Sequence, residues 1–154
     1  NGIGQVKAVK IKCLIELSRR LAMADTRERL QFTKPETVAD YYMERLRGKE
    51  TEEVILVMTD NKNRLICDRT LSKGTVNCSL VSPREIFLMA MEYHAVHILL
   101  IHNHPSGDAS PSRQDIEITK HLAQLCGMMQ LPLTDHIIVG DNCYVSFRES
   151  GLLK

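Results

Sequence analysis

The sequence predicts an α/β domain, a mixed β-sheet with helices on its faces and a helical extension ahead of it. Two hairpin patterns lead there, one near the middle of the chain and one near its end. Between them lie a helix, a single apolar run of strand length and another helix, so strands and helices alternate. The helices before residue 48 stand outside that alternation, and the first of them, in residues 1–24, forms the extension.

Residues 5–24 (QVKAVKIKCLIELSRRLAMA) carry Val6, Val9, Cys13, Leu14, Leu17 and Leu21 at helical spacing, after a GIG turn. A polar stretch, 25–34, reads as a hinge or linker. TKPETVADYYMERLRG reads as a helix with Thr33 and Glu36 as a capping box, Pro35 in the first turn and Gly48 as the stop. VILVMT (54–59), DNKN and RLICDRTL (64–71) form the first hairpin. Ser82, Pro83 and Glu85 open a helix over 83–94, again as a capping box. HILLIHN (97–103) is the single strand, followed by a helix from about 113 to 126 that Gly127 terminates. LPLTDHIIVG, a GDN turn and CYVSF make the closing hairpin.

Composition narrows the function. The chain has 154 residues, enough for one domain with its own core. Aromatics are only 5% and Trp is absent, which argues against stacking platforms for single-stranded nucleic acid. Net charge is +1, yet residues 1–24 hold Lys7, Lys10, Lys12, Arg19 and Arg20 against Glu16, a weak basic stripe that could touch phosphate. Five cysteines without a CxxC exclude a cysteine zinc site and a disulfide framework, and point to a reducing cytoplasm. No apolar run is long enough to span a membrane and no signal peptide is present; because the first residue is not Met, further sequence is expected upstream.

The chemistry concentrates in HNHPSGDASPSRQD, residues 102–115. Strand side chains alternate, so His102 and His104 share a face as a chelating pair. Ser112 opens the next helix, and Asp115 lies one turn in, facing back. Two imidazoles and a carboxylate make a three-ligand zinc site with a fourth position open for water. Hydrolysis then needs a general base and a donor to the oxyanion. Glu52, at the mouth of the EEVILVM strand, is the candidate base, and Ser112 the candidate donor; Glu53 points to the opposite face. Alone, Ser112 and Asp115 are a capping box, an HxH is a packing accident and Glu52 a solvated strand end. Joined in one span, the two halves of the motif are much more specific.

His102, His104, Ser112 and Asp115 match HxH-x7-SxxD, and the chain resembles the JAMM (MPN-type) zinc metallopeptidases. More narrowly it is similar to the RadC family. Pro83-Arg84-Glu85-Ile86, His102 to Gly107, Pro111-Ser112, Asp135 to Gly140, Gly74-Thr75 and Glu149-Ser150-Gly151 fit its pattern from about residue 33 to the C-terminus. The resemblance implies a domain at 33–154 of the JAMM/MPN, cytidine deaminase-like architecture. It implies zinc on His102, His104 and Asp115, Glu52 as acid/base, eight residues before the hairpin Asp60, and Ser112 at the oxyanion. The implied activity is hydrolysis of peptide or isopeptide bonds in a peptide or protein substrate, with a link to DNA repair or recombination. GIGQVKA resembles half of a helix-hairpin-helix, so residues 1–24 are a partial element of that kind, able to contact DNA or to serve as a packing helix. A second copy of the chain is carried as a potential partner, a membrane is not. The alternative is a DNA-associated binding module with a structural or vestigial metal site. A deaminase would need HxE and PCxxC, and neither occurs.

The other histidines divide by position. His94 and His97 read as partly buried packing residues, His97 facing away from His102. His121 reads as surface. His136 could support a metal-bound imidazole from behind, and Asp135 could supply the carboxylate for that purpose, with a turn role as its simpler reading. Asp108 has ligand chemistry at the wrong spacing, and the Met-rich FLMAMEY segment reads as core.

Overall fold

A computed structural model describes residues 4–27, 30–74 and 82–153, together with the side chains of all but 19–27 among them. The chain divides into two compact units, residues 1–30 and 31–154. The first unit contains α1 (Gln5–Arg27), a helix that takes in residues 25–27, the first three of the segment expected to be a linker. The first two residues of the GIG turn, and Thr75 of the Gly74-Thr75 pair, lie outside the described residues.

The second unit is a five-stranded mixed sheet with three helices. Its elements are α2 (Pro35–Leu46), β1 (Glu53–Thr59), β2 (Leu65–Lys73), α3 (Pro83–Glu92), β3 (His97–Asn103), α4 (Arg113–Met128), β4 (Leu133–Val139) and β5 (Tyr144–Ser146). The strand order is β2-β1-β3-β4-β5. β1 pairs antiparallel with both β2 and β3, β3 runs parallel to β4, and β4 pairs antiparallel with β5. The parallel pair is possible because α4 carries the chain back between its strands.

Every residue of β1 is buried, and so are six of the seven in β3. A strand covered on both faces reads as an unbroken apolar run, which is why EVILVM and HILLI lack alternation. On one face Val54, Leu56, Met58, Ile98, Leu100 and Ile138 form a core with Ile86 and Ala90 of α3, Leu122 and Cys126 of α4, and Phe147. The opposite face carries Ile55, Val57, Leu99, Ile101, Ile137 and Val139, and α2 packs on β3 and β4. Tyr42 of α2 donates to Asp68 Oδ2 at 3.3 Å and Arg45 pairs with Asp68 Oδ1 at 2.7 Å, which ties α2 to β2.

Several helix ends differ from the sequence reading; α3, expected over 83–94, ends at Glu92. α2 begins after Lys34, and its N-cap receives no side-chain hydrogen bond, so Thr33 and Glu36 do not form a capping box. Ser82 does cap α3, again without a side-chain bond; Pro83 at the first position already removes one of the donors a cap would satisfy. α4 continues through Gly127 to Met128, because a glycine in helical conformation is a weak breaker when the flanking residues favour helix. His94 is exposed with φ 51°, closing α3 in the left-handed region instead of packing.

Candidate metal centre

Four chain segments meet at one end of the sheet: the end of β3, the entry to β1, the β4–β5 turn and the N-terminus of α4. His102 is the last but one residue of β3 and is 1% exposed; His104 follows it on the same face. Asp115 is at the third position of α4 and is 3% exposed. The ligand atoms of His102, His104 and Asp115 all lie within 4.8 Å of one another.

Their separations fit one metal ion. His102 Nε2 is 3.0 Å from His104 Nε2 and 3.5 Å from Asp115 Oδ1, and His104 Nε2 is 3.6 Å from Asp115 Oδ2. Ligands about 2.0–2.1 Å from a tetrahedral zinc ion stand about 3.3 Å apart, close to the separation of the two ring nitrogens and of each nitrogen from the nearer Asp115 oxygen. The donor set, two imidazoles and a carboxylate, is that of a zinc site with an open position.

Each ligand is held from behind. His104 Nδ1 lies 2.7 Å from the carbonyl of Asp108. A carbonyl only accepts, so Nδ1 carries the hydrogen and Nε2 presents its lone pair to the site. Asp108 thus serves through its main chain; its carboxylate accepts from Ser110 N–H at 2.9 Å instead. Asp115 Oδ2 accepts from Ser112 N–H at 2.8 Å and from the Ser112 hydroxyl at 2.6 Å, while Asp115 N–H donates to Ser112 Oγ at 3.1 Å. This is the capping box expected from sequence, formed by a carboxylate that also faces both histidines. His102 Nδ1 lies 2.8 Å from His136 Nε2, and His136 Nδ1 lies 2.6 Å from Thr119 Oγ1. Burial, only partly opposed by the Asp115 charge, pushes the His102 pKa down to about 4, and His136 is depressed by burial as well. Both rings are therefore neutral at pH 7 and available as ligands or neutral hydrogen-bond partners.

Glu52 stands just ahead of β1 and is half-buried. β1 sets Val54 opposite His102 in antiparallel register. One alternation earlier, Glu52 falls on the same sheet face, in the row of His104. Glu53 takes the other face, where its carboxylate pairs with Lys49 at 3.1 Å, as its position in the strand requires. Asn103, between the two histidines, also points to that other face. Its Oδ1 accepts from Glu53 N–H at 2.8 Å and its Nδ2 donates to the Thr51 carbonyl at 3.1 Å. The Glu52 carbonyl accepts from Gly74 N–H at 2.8 Å. The backbone on both sides of Glu52 is thereby pinned beside the histidine pair.

Asn103 and Thr119 were not singled out by sequence reasoning. Thr119 is four residues after Asp115, on the same helix face, and that spacing was the available signal. Asp135 does not support an imidazole. It is buried, accepts from Ser146 Oγ at 2.6 Å and from the backbone N–H groups of His136 and Arg148, and so staples β4 to the end of β5 and the segment after it. Burial raises its pKa. His97 faces away from His102, its Nδ1 3.2 Å from the Asp60 carbonyl, and His121 is exposed, both as expected.

The four described cysteines that are free, Cys13, Cys67, Cys126 and Cys143, lie in no disulfide, and among the described residues no helix is long and apolar enough to cross a membrane. Residues 32–152 match the family model described as the RadC-like JAB domain. Among curated proteins, the chain is 43% identical over 150 residues to a UPF0758 protein of Caldanaerobacter subterraneus, covering 97% of this chain and 64% of that one. It is 41% and 40% identical over 152 residues to UPF0758 proteins of Desulforamulus reducens and Syntrophotalea carbinolica, covering 99% of this chain and 67% of each. The chain thus spans about two thirds of the length of these relatives.

Proposed function

Because the chain belongs to the RadC-like JAB domain family, we propose that it is a zinc-dependent hydrolase of peptide or isopeptide amide bonds. The same proposal assigns it to the cytoplasm and to an association with DNA repair or recombination. One observation carries the reading: His102 Nε2, His104 Nε2 and the Asp115 carboxylate converge at the spacing of three zinc ligands. When bound, zinc supplies Lewis-acid polarisation of the scissile carbonyl and lowers the pKa of water to about 7. Glu52 takes a proton from the attacking water and delivers it to the leaving amine as the C–N bond breaks. Ser112 orients Asp115 and, by turning its hydroxyl, donates to the oxyanion. Asn103 holds the Thr51–Glu53 backbone so that Glu52 stays at the site.

The first test is elemental analysis of the purified chain beside the His102→Ala/His104→Ala double variant. About one zinc per chain, lost in the double variant, is expected. Peptide and isopeptide substrates are then screened with wild type and Glu52→Gln, which should retain zinc and lose turnover. A Glu52→Gln variant of full activity removes Glu52 from the mechanism; no zinc after reconstitution at neutral pH removes the hydrolase reading. The second reading, a DNA-associated module with a structural metal site, draws on the exposed Lys7 and Lys10 of α1. It requires salt-dependent DNA binding that survives metal removal and Glu52→Gln.

A further inference from the structure

We propose that His136 and Thr119 are positioning residues of the metal centre. Together with the Asp115 carbonyl they form a buried, one-directional chain of hydrogen bonds that locks His102 in its Nδ1–H tautomer. This rests on the reading of His102, His104 and Asp115 as zinc ligands.

The direction of the chain follows from the end that has no freedom. The Asp115 carbonyl only accepts, and Thr119 Oγ1 donates to it at 2.6 Å. The hydroxyl has spent its single hydrogen, so toward His136 Nδ1, also at 2.6 Å, it offers only lone pairs. His136 Nδ1 therefore carries the hydrogen. A neutral imidazole has only one, which leaves His136 Nε2 bare. It faces His102 Nδ1 at 2.8 Å, so that nitrogen must be the donor. His102 Nε2 is then a lone pair, aimed at His104 Nε2 and Asp115. The opposite direction would put a hydrogen on His102 Nε2, inside the ligand triangle.

The fold supplies each link. Parallel pairing of β3 with β4 sets Leu100 beside His136 and His102 beside Ile138, so His136 lies one row behind His102 on the same face. Its ring is stacked on Phe147, with centroids 4.7 Å apart. α4 puts Thr119 one turn after Asp115. The chain of bonds leaves one ligand and returns to the backbone of another, coupling β3, β4 and α4. Most metal-bound imidazoles lean on a carboxylate or a carbonyl. Here the support of His102 is a neutral ring, which fixes the tautomer without adding negative charge behind the metal.

The test measures zinc affinity of the full chain by competition with a chromophoric chelator at neutral pH. His136→Ala should weaken zinc binding by about 10–100-fold, the usual effect of losing such a partner. His136→Gln, whose amide can accept from His102 and donate to Thr119, should recover part of the loss. Thr119→Val is nearly isosteric and cuts the chain without emptying the core, so it carries the test should His136→Ala fail to fold. Nitrogen NMR of the zinc-loaded imidazoles should find the His102 hydrogen on Nδ1; a hydrogen on Nε2 overturns the proposal. Wild-type affinity in both His136→Ala and Thr119→Val overturns it while leaving the ligand set standing. A wild-type chain that takes up no zinc overturns the ligand set, and the proposal with it.

Discussion

Gly140 is the position where one methyl group should damage both the fold and the metal centre. A Cβ built there would stand 2.2 Å from the Gly107 carbonyl oxygen, 2.9 Å from its carbon and 2.8 Å from Cys143 Sγ. The first of these is backbone and cannot rotate away, so the segments must separate by on the order of 1 Å. That separation strains the Asp141 N–H bond to the Gly107 carbonyl, now 2.8 Å. Overpacking of this kind costs about 1–3 kcal/mol and a lost hydrogen bond about 1 kcal/mol, so Gly140→Ala should destabilise by about 2–4 kcal/mol. For a chain of this length that is a melting-temperature drop of roughly 4–16 °C. Gly107 has φ 86° and precedes Asp108, whose carbonyl holds His104 Nδ1. The displaced loop should release that ring and weaken zinc binding by about tenfold or more. Thermal unfolding in chelator, followed by zinc competition, reads both effects. Gly127→Ala is the control: its Cβ meets nothing within 4 Å, and in α4 it should be neutral or stabilising by up to about 1 kcal/mol. Wild-type melting and wild-type zinc affinity in Gly140→Ala would refute the argument from close approach.

Asn103→Ala should leave zinc stoichiometry intact, since both histidines remain, but cost about 1–3 kcal/mol because Glu53 N–H loses its buried partner; urea unfolding and elemental analysis check the two halves. Hydrogen exchange at the Glu53 amide should also rise in that variant, and an unchanged rate would refute the pinning of Glu52. The metal-free protein should lose stability in mild acid. His102 titrates near 4 in the fold against an ordinary 6.5, so below 6.5 the unfolded chain binds the extra proton first. Stability falls as pH drops through that window, by about 2 kcal/mol between pH 7 and 5 from His102 alone, with His136 acting in the same direction. A urea midpoint in chelator that is flat from pH 7 to 5 would contradict the neutral burial of these rings.

What the sequence made legible was local. His102, His104, Ser112 and Asp115 sit within one turn-and-cap segment, so their spacing alone set the geometry. The strands were legible for a related reason: a run such as VILVM buried on both faces has no other use at that length. Glu52 needed the register between β1 and β3, which no local pattern contains. Asn103 reads as the spacer of HxH until the chain that its side chain grips, fifty residues away, is folded beside it. His136 stands behind His102 only because β3 and β4 run parallel, and Thr119 reaches it only because α4 packs on β4; parallel neighbours leave no turn signal in the sequence. The missed helix caps have another cause. Thr33 and Ser82 satisfy the letter of the capping pattern, but each is followed closely by a proline, which relieves part of the need for a cap.

Ser112 carries two roles that a single substitution can separate. In the resting structure its hydroxyl donates to Asp115 Oδ2 at 2.6 Å, alongside its own N–H at 2.8 Å. Both bonds fall on one oxygen, which leaves Oδ1 to face His102. Ser112→Ala removes the hydroxyl bond but keeps the N–H bond. Loss of the cap should cost about 1 kcal/mol of stability. If the hydroxyl chiefly orients the carboxylate, zinc affinity falls as well. If it chiefly holds the oxyanion, zinc affinity stays at the wild-type value and kcat alone falls, by about 100–1,000-fold. Because the N–H bond survives and Asp115 remains fixed in the first turn of α4, the second outcome is the expected one. A variant with wild-type kcat and weakened zinc binding would take Ser112 out of the chemistry and leave it as the clamp on Asp115.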